Sequence, residues 1–100
     1  MNPELAEEAK ERGNTAFREG KFPDAIKEYE EAIKRNPSSP AYRNNLAATF
    51  LKLGLFNDAK REVEKALEID GKYVKAWAKK GDIETYMKEY HKALDSYKMG

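Results

Sequence analysis

The chain has no cysteine, a single histidine and no long apolar segment. Without cysteine there are no disulfides, no thiol nucleophile and no thiolate ligand for a metal. His91 is the only imidazole, so neither a metal site nor a Ser/His/Asp arrangement is expected. No apolar run approaches the roughly 18 residues of a membrane span, and residues 1–4 show no signal region. We therefore expect a cytoplasmic protein without cofactor, metal or membrane partner.

Neither sign of charge dominates the chain. Nineteen Lys and Arg residues stand against 18 Asp and Glu residues, for a formal net charge of +1. Such a balance gives no general attraction to nucleic acid or to an anionic membrane, so electrostatic recognition must depend on local placement. With 100 residues, 40% of them hydrophobic and 37% charged, we expect one small domain with a charged surface over a thin core.

Similar residues recur along the chain with a period of 34, which is typical of tandem helical repeats. The recurring sets are small or aromatic: Ala25, Ala59 and Ala93; Gly13, Ala47 and Gly81; Phe22, Phe56 and Tyr90; Tyr29, Val63 and Tyr97. The small residues are expected to let helix backbones approach closely, and the aromatic ones to fill the space between paired helices. We interpret these residues, together with Trp77, as core.

Local signals give the helix boundaries. Asn2, Pro3 and Glu4 predict an N-cap, a proline in the first turn and an acidic first turn. Gly20 and Gly54 are expected to end helices. His91 stands where Pro23 and Asn57 open the earlier second helices, and is predicted to be a turn residue. Six helices are predicted, near residues 3–19, 23–36, 40–53, 57–70, 73–87 and 91–99.

The period and these residue types resemble the tetratricopeptide-repeat (TPR) family, from about Ala6 to the end of the chain. The resemblance implies an all-α domain over 1–100, in which three helix-turn-helix units, at about 6–39, 40–73 and 74–100, stack as a right-handed α-solenoid. No clear C-terminal capping helix is expected after the third unit. Ala93, Leu94 and Tyr97 are therefore predicted to be partly exposed.

In TPR arrays the first helix of each unit lines a concave groove. Here the inward positions carry cations and amides: Lys10 and Asn14; Asn44, Asn45 and Lys52; Lys75 and Lys79. Lys10 and Asn14 are four residues apart, as are Lys75 and Lys79, so each pair shares one helix face. Phe17, Ala48, Leu51 and Asp82 are further candidate groove contacts.

Five of these residues carry a narrower resemblance, to the two-carboxylate clamp of TPR cochaperones: Lys10, Asn14, Asn45, Lys75 and Lys79. The likeness is strongest to the last TPR block of the chaperone-organising cochaperones of the stress response. It implies binding of the C-terminal Glu-Glu-Val-Asp tails of cytosolic heat-shock chaperones, with the seventy-kilodalton class favoured and the ninety-kilodalton class as the alternative.

The resemblance also implies a role for each side chain. Lys10, Asn14 and Asn45 would hold the main-chain carboxylate of the terminal aspartate, and Lys75 its side-chain carboxylate. Lys79 would contact the peptide backbone or an acid upstream. Lysine supplies charge and three donors, whereas an asparagine amide donates without further charge.

Two other classes of function are weighed against the clamp. Acid–base catalysis needs a group with a shifted pKa in a closed pocket, and an open groove desolvates neither Glu11 nor Asp82 strongly, so no enzyme is expected. A TPR scaffold that binds an internal segment or helix of a partner stays an alternative, because a fold does not determine its ligand. The same clamp could also belong to an immunophilin or phosphatase cochaperone.

Overall fold

The computed structural model describes residues 2–99, and side chains from 2 to 88. This part contains five helices and no strand: α1 (Pro3–Arg18), α2 (Phe22–Arg35), α3 (Pro40–Lys52), α4 (Phe56–Ile69) and α5 (Val74–Met99). The predicted all-α class is confirmed, and the bounds of the first four helices differ from the expected ones by one residue at most. No helix within the described residues is long and apolar enough to cross a bilayer.

Two equivalent turns connect the helices of the first two units. Gly20 and Gly54 follow α1 and α3 with φ of 77° and 75°, in the left-handed region that favours glycine. The Lys21 N–H donates to the Ala16 carbonyl at 2.8 Å, and the Leu55 N–H donates to the Phe50 carbonyl at 2.9 Å. These bonds satisfy carbonyls at the helix ends and reverse the chain, as the repeated glycines predict.

The start of α1 is capped by a side chain. Asn2 Oδ1 accepts a hydrogen bond from the Leu5 N–H at 3.1 Å, and Pro3 occupies the first turn. Asn2→Ala is expected to lower the free energy of unfolding by about 1 kcal/mol, because it removes that acceptor. Urea denaturation would measure the change, with Asn2→Asp as a control that keeps an acceptor. Equal loss in both variants would contradict the capping role.

The helices pack in chain order, each against the next, and α3 also contacts α5. One core cluster, formed by α1, α2 and α3, is centred on Tyr29, Tyr42 and Leu46. A second, formed by α3, α4 and α5, is centred on Val63 and Ile83. Ala25, Ala47 and Ala59 are fully buried, as the repeat predicts. The core is therefore a strip along the stack rather than a single centre.

The predicted turn before residue 91 and the sixth helix at 91–99 are wrong, because α5 runs without a break from Val74 to Met99 and includes His91. Lys88 stands in the third unit where Gly20 and Gly54 turn the chain in the first two, and residues 82–99 contain neither glycine nor proline. A side chain disfavours the left-handed conformation that this turn requires, so the helix continues. The predicted placements of Tyr90, Ala93, Leu94 and Tyr97 lie outside the described side chains.

Two expected core positions on α5 are also corrected. Within the described residues Gly81 is exposed, and a Cβ built on it would meet no heavy atom of a packed neighbour within 4 Å. The helix α5 continues past Gly81 instead of turning back to cover it. Trp77 is 51% exposed. Its indole N–H donates to the Gly71 carbonyl at 2.7 Å, and Lys80 Nζ lies 5.4 Å from the ring centroid. Trp77 therefore covers the entry to α5 instead of filling the core.

Candidate functional site

The first helix of each unit contributes to one shared cavity. It has a volume of about 330 Å³, and its walls come from α1, α3 and α5. The lining residues are Phe17 from α1, Ala48, Leu51 and Lys52 from α3, and Lys79, Asp82 and Tyr86 from α5. Six of these seven were predicted to lie in the groove. The cavity combines an apolar floor with two cations and one acid, a lining suited to an apolar side chain flanked by charge.

Lys10 is half-buried and already paired within its own helix. Its Nζ lies 2.8 Å from Glu7 Oε2 and 3.3 Å from Glu11 Oε1. The Glu7 bond is the main cause of a raised pKa for Lys10, and Glu11 adds to it. Lys10 therefore stays protonated and remains a charged donor on α1, with two carboxylates beside it.

Glu7 connects α1 to α3. The buried Tyr42 hydroxyl donates to Glu7 Oε1 at 2.6 Å. Burial, followed by this bond, raises the pKa of Tyr42 to about 12, so the phenol stays protonated and continues to donate. Bonds from Lys10 and then Tyr42 hold the pKa of Glu7 below its usual value. Tyr42, Glu7 and Lys10 thus form a continuous chain of polar contacts from the core to the partly exposed Lys10.

Asn14 is oriented by the core. Its Oδ1 accepts a hydrogen bond from the buried Tyr29 hydroxyl at 2.6 Å. An asparagine amide carries one acceptor oxygen and two N–H donors. With the oxygen held by Tyr29, the donor end of Asn14 is the part that can meet a ligand. Such an orientation suits an anion.

The other predicted site residues lie on α3 and α5. Asn45 is half-buried. Asn44 is only 8% exposed, so it is not an accessible groove contact, and its buried Oδ1 has no hydrogen-bond partner within the described part of the chain. Lys75 is exposed and Lys79 half-buried. Neither of these lysines forms an ion pair with an acid among the side chains described. Asp82, which lines the cavity with Lys79, likewise forms no ion pair with a described cation.

Sequence reasoning missed three residues at this site: Glu7, Tyr42 and Tyr86. Glu7 could have been found, because an acid three residues before a lysine lies on the same helix face. Tyr42 is 35 residues from Glu7 along the chain, and no local signal links the two. Tyr86 lines the cavity and stacks on Phe56, with ring centroids 6.3 Å apart. It was missed because the predicted helix ended at residue 87, so Tyr86 was expected at the helix end next to a turn.

The stacked helix pairs and the shared groove of their first helices define a helical-repeat binding protein. Two family profiles match the sequence, one described as "TPR repeat" over residues 13–54 and one as "Tetratricopeptide repeat" over residues 40–73. The chain belongs to the tetratricopeptide-repeat family, which confirms the resemblance found from the 34-residue period.

The chain is similar to the TPR cochaperones. It is 43% identical over 100 residues to Hsp70-Hsp90 organizing protein 3 of Arabidopsis thaliana, covering 100% of this chain and 18% of that protein. The TPR2B domain of yeast Sti1, solved in complex with pHsp70, is 37% identical with a TM-score of 0.82, over 91% of this chain and 73% of that one. The first TPR of Spaghetti (RPAP3), bound to the HSP90 peptide SRMEEVD, is 26% identical with a TM-score of 0.87, over 98% and 80%. The chain thus spans about a fifth of the length of the curated relative.

Proposed function

We propose that this chain is a non-catalytic cochaperone module of the cytoplasm that binds the C-terminal Glu-Glu-Val-Asp tail of heat-shock chaperones. The observation that carries the proposal is that the three helices bearing the candidate donors line one cavity, to which Lys79 itself contributes. Lys10 and Asn14 lie on α1, Asn45 on α3, and Lys75 and Lys79 on α5, while α1, α3 and α5 line a common cavity. Two similar solved structures hold a chaperone or its peptide, which supports this class of ligand.

A terminal aspartate presents two carboxylates close together, and the groove offers two sets of donors for them. We assign the main-chain carboxylate to Lys10, Asn14 and Asn45. The side-chain carboxylate then goes to Lys75, which forms no ion pair with the described side chains. Lys79 is assigned to the peptide backbone or to an upstream acid, since it stands further along α5 beside the cavity.

The cavity gives a place for the valine of the tail. Phe17, Ala48 and Leu51 supply its apolar wall, and a single apolar side chain fits within about 330 Å³. Each charge-assisted hydrogen bond contributes roughly 1.5–3 kcal/mol. After subtraction of the cost of ordering a flexible tail, we expect a dissociation constant on the order of micromolar.

The class of chaperone is part of the proposal. We favour the seventy-kilodalton class, because the similar TPR2B domain of yeast Sti1 is in complex with pHsp70. The ninety-kilodalton class is the alternative, supported by the HSP90 peptide on the first TPR of Spaghetti. Titration with the C-terminal peptides of both classes would rank them.

Calorimetric titration with SRMEEVD, the peptide of the Spaghetti complex, and with the same peptide amidated at its C-terminus tests the proposal. We expect micromolar binding of the free acid and a loss of about tenfold or more on amidation, because amidation removes the charge that Lys10 and the amides recognise. Lys75→Ala should weaken binding of the free acid to a similar extent. Lys34→Ala, a charge loss on the exposed face of α2, serves as the matched control and should change binding less than twofold.

Equal affinity for the two peptides would contradict the clamp. That outcome would favour the scaffold hypothesis, in which the groove binds an internal segment of a partner and the C-terminus of the partner makes no contact.

A further inference from the structure

The two ends of the proposed site differ in whether their lysines already form ion pairs within the chain. Lys75 and Lys79 form no ion pair with any described side chain. Lys10 has Glu7 at 2.8 Å and Glu11 at 3.3 Å. An ammonium group has three N–H donors, so two carboxylates leave only one donor free. A ligand carboxylate arriving at Lys10 therefore meets a lysine that is already largely satisfied.

Glu7 is not free to leave. Its other oxygen, Oε1, accepts the Tyr42 hydroxyl at 2.6 Å, and Tyr42 is 2% exposed within the first core cluster. A rotation of Glu7 away from Lys10 would leave a buried phenol hydroxyl without its acceptor, and an unpaired buried donor is costly. The Glu7 carboxylate is thus held beside Lys10 by the core. The Glu11 carboxylate, by contrast, pairs with Lys10 alone among the described side chains.

We propose that Glu7, anchored by Tyr42, is an internal competitor for Lys10 that lowers the affinity of the groove for a peptide's terminal carboxylate. The inference rests on the proposed function and deepens it. A ligand must either displace Glu7 from both partners or bind next to its negative charge, and both routes reduce the gain from Lys10. The residue would therefore set affinity without needing to touch the peptide.

A rival role for Glu7 predicts the opposite result. If Glu7 served to orient Lys10 toward the ligand, loss of its charge would weaken binding. Glu7→Gln separates the two roles, because the amide oxygen can still accept from Tyr42 while the negative charge is gone. Glu7→Gln therefore keeps the hydrogen bond that connects α1 to α3.

The experiment compares Glu7→Gln with Glu8→Gln by calorimetric titration. Glu8 is the next residue of α1, is exposed and makes none of these contacts, so its substitution gives the same change in net charge. With the free-acid peptide SRMEEVD we expect Glu7→Gln to bind about three- to tenfold more tightly than the unmodified chain, and Glu8→Gln to differ less than twofold. With the amidated peptide the gain of Glu7→Gln should vanish.

A second variant tests the anchor. Tyr42→Phe frees the Glu7 carboxylate to rotate, and should tighten binding of the free acid by a smaller factor than Glu7→Gln. Thermal unfolding of each variant would establish that the compared proteins are folded at the titration temperature.

Unchanged or weaker binding by folded Glu7→Gln would overturn the inference. If the unmodified chain binds the free acid and not the amide, such a result leaves the proposed function intact and removes only the competitor role. If the unmodified chain binds neither peptide, both the function and the competitor role fail together.

Discussion

Replacing Gly13 with alanine is expected to lower the free energy of unfolding by about 1–3 kcal/mol, in spite of the higher helix propensity of alanine. A Cβ built on Gly13 would lie 2.6 Å from Tyr29 Cε1 and 2.7 Å from Tyr29 Cδ1, closer than two carbon atoms can approach. Tyr29 cannot yield easily, because its ring is 3% exposed and its hydroxyl donates to Asn14. The helix α1 or the ring must therefore shift within a packed core.

Gly81 provides the matched control, since it occupies the same position of the third repeat. Among the described residues, no packed neighbour lies within 4 Å of a Cβ built there, and the residue is an exposed helical position. Gly81→Ala is thus expected to raise the free energy of unfolding by about 0.5–1 kcal/mol, through helix propensity alone. The same substitution at equivalent repeat positions should change stability with opposite sign.

Urea denaturation of the two variants would measure both changes. A stabilised Gly13→Ala would show that Tyr29 can move without cost, and a destabilised Gly81→Ala would show that the surface of α5 at Gly81 is covered in solution. Because Tyr29 also orients Asn14, Gly13→Ala should in addition weaken binding of the free-acid peptide.

Glu62→Ala is the second substitution with a large expected effect, a loss of about 2–4 kcal/mol of unfolding free energy. Glu62 lies on α4 with its side chain only 6% exposed, and its Oε1 accepts from Arg43 Nη1 of α3 at 2.8 Å. Arg61 and Lys65 stand near its other oxygen, at 3.7 Å and 3.8 Å. Removal of the carboxylate would leave the Arg43 guanidinium without its partner between the two helices, whereas Arg61 keeps Asp58 at 2.8 Å and Lys65 is partly exposed to solvent.

Arg43 is the most affected of these cations, because its Nε is already buried without a partner among the described residues. Glu64→Ala, at an exposed position of α4, is the control and should stay within about 0.5 kcal/mol of the unmodified chain. The double variant with leucine at both Arg43 and Glu62 should recover much of the loss, since an apolar pair carries no desolvation penalty. Chemical denaturation of Arg43→Leu, Glu62→Leu and the double variant gives the coupling energy of the pair; additive effects would contradict the ion pair.

The sequence was sufficient to predict the fold where each turn has its own local signal. Gly20 and Gly54 mark two turns that need a positive φ, and Pro3 and Pro40 mark helix starts, so four helices could be placed closely. The last turn could not be predicted by analogy. The period requires a turn after Met87, but Lys88 replaces the glycine, and local backbone preference prevails over the repeat.

The candidate site was predicted as a set of residues, not as a network. The resemblance to TPR arrays implies that Phe17, Leu51 and Lys79 face one groove, and the structure places them around one cavity. Hydrogen bonds between different helices cannot be predicted from the spacing of residues along the sequence. The Tyr42–Glu7 and Tyr29–Asn14 bonds depend on how α1 packs against α2 and α3, so the three-dimensional structure is needed to find them.

The order of helix packing also has a kinetic consequence for the groove. Since each helix contacts mainly its neighbours in the chain, terminal segments can open without unfolding the rest. In the proposed complex, opening of α5 would remove Lys75 and Lys79, while Lys10 keeps its ion pair with Glu7 and Asn14 its hydrogen bond from Tyr29. A peptide tail bound as proposed would contact both α1 and α5. We therefore expect it to slow the opening of α5, and to dissociate faster from variants in which α5 opens more often.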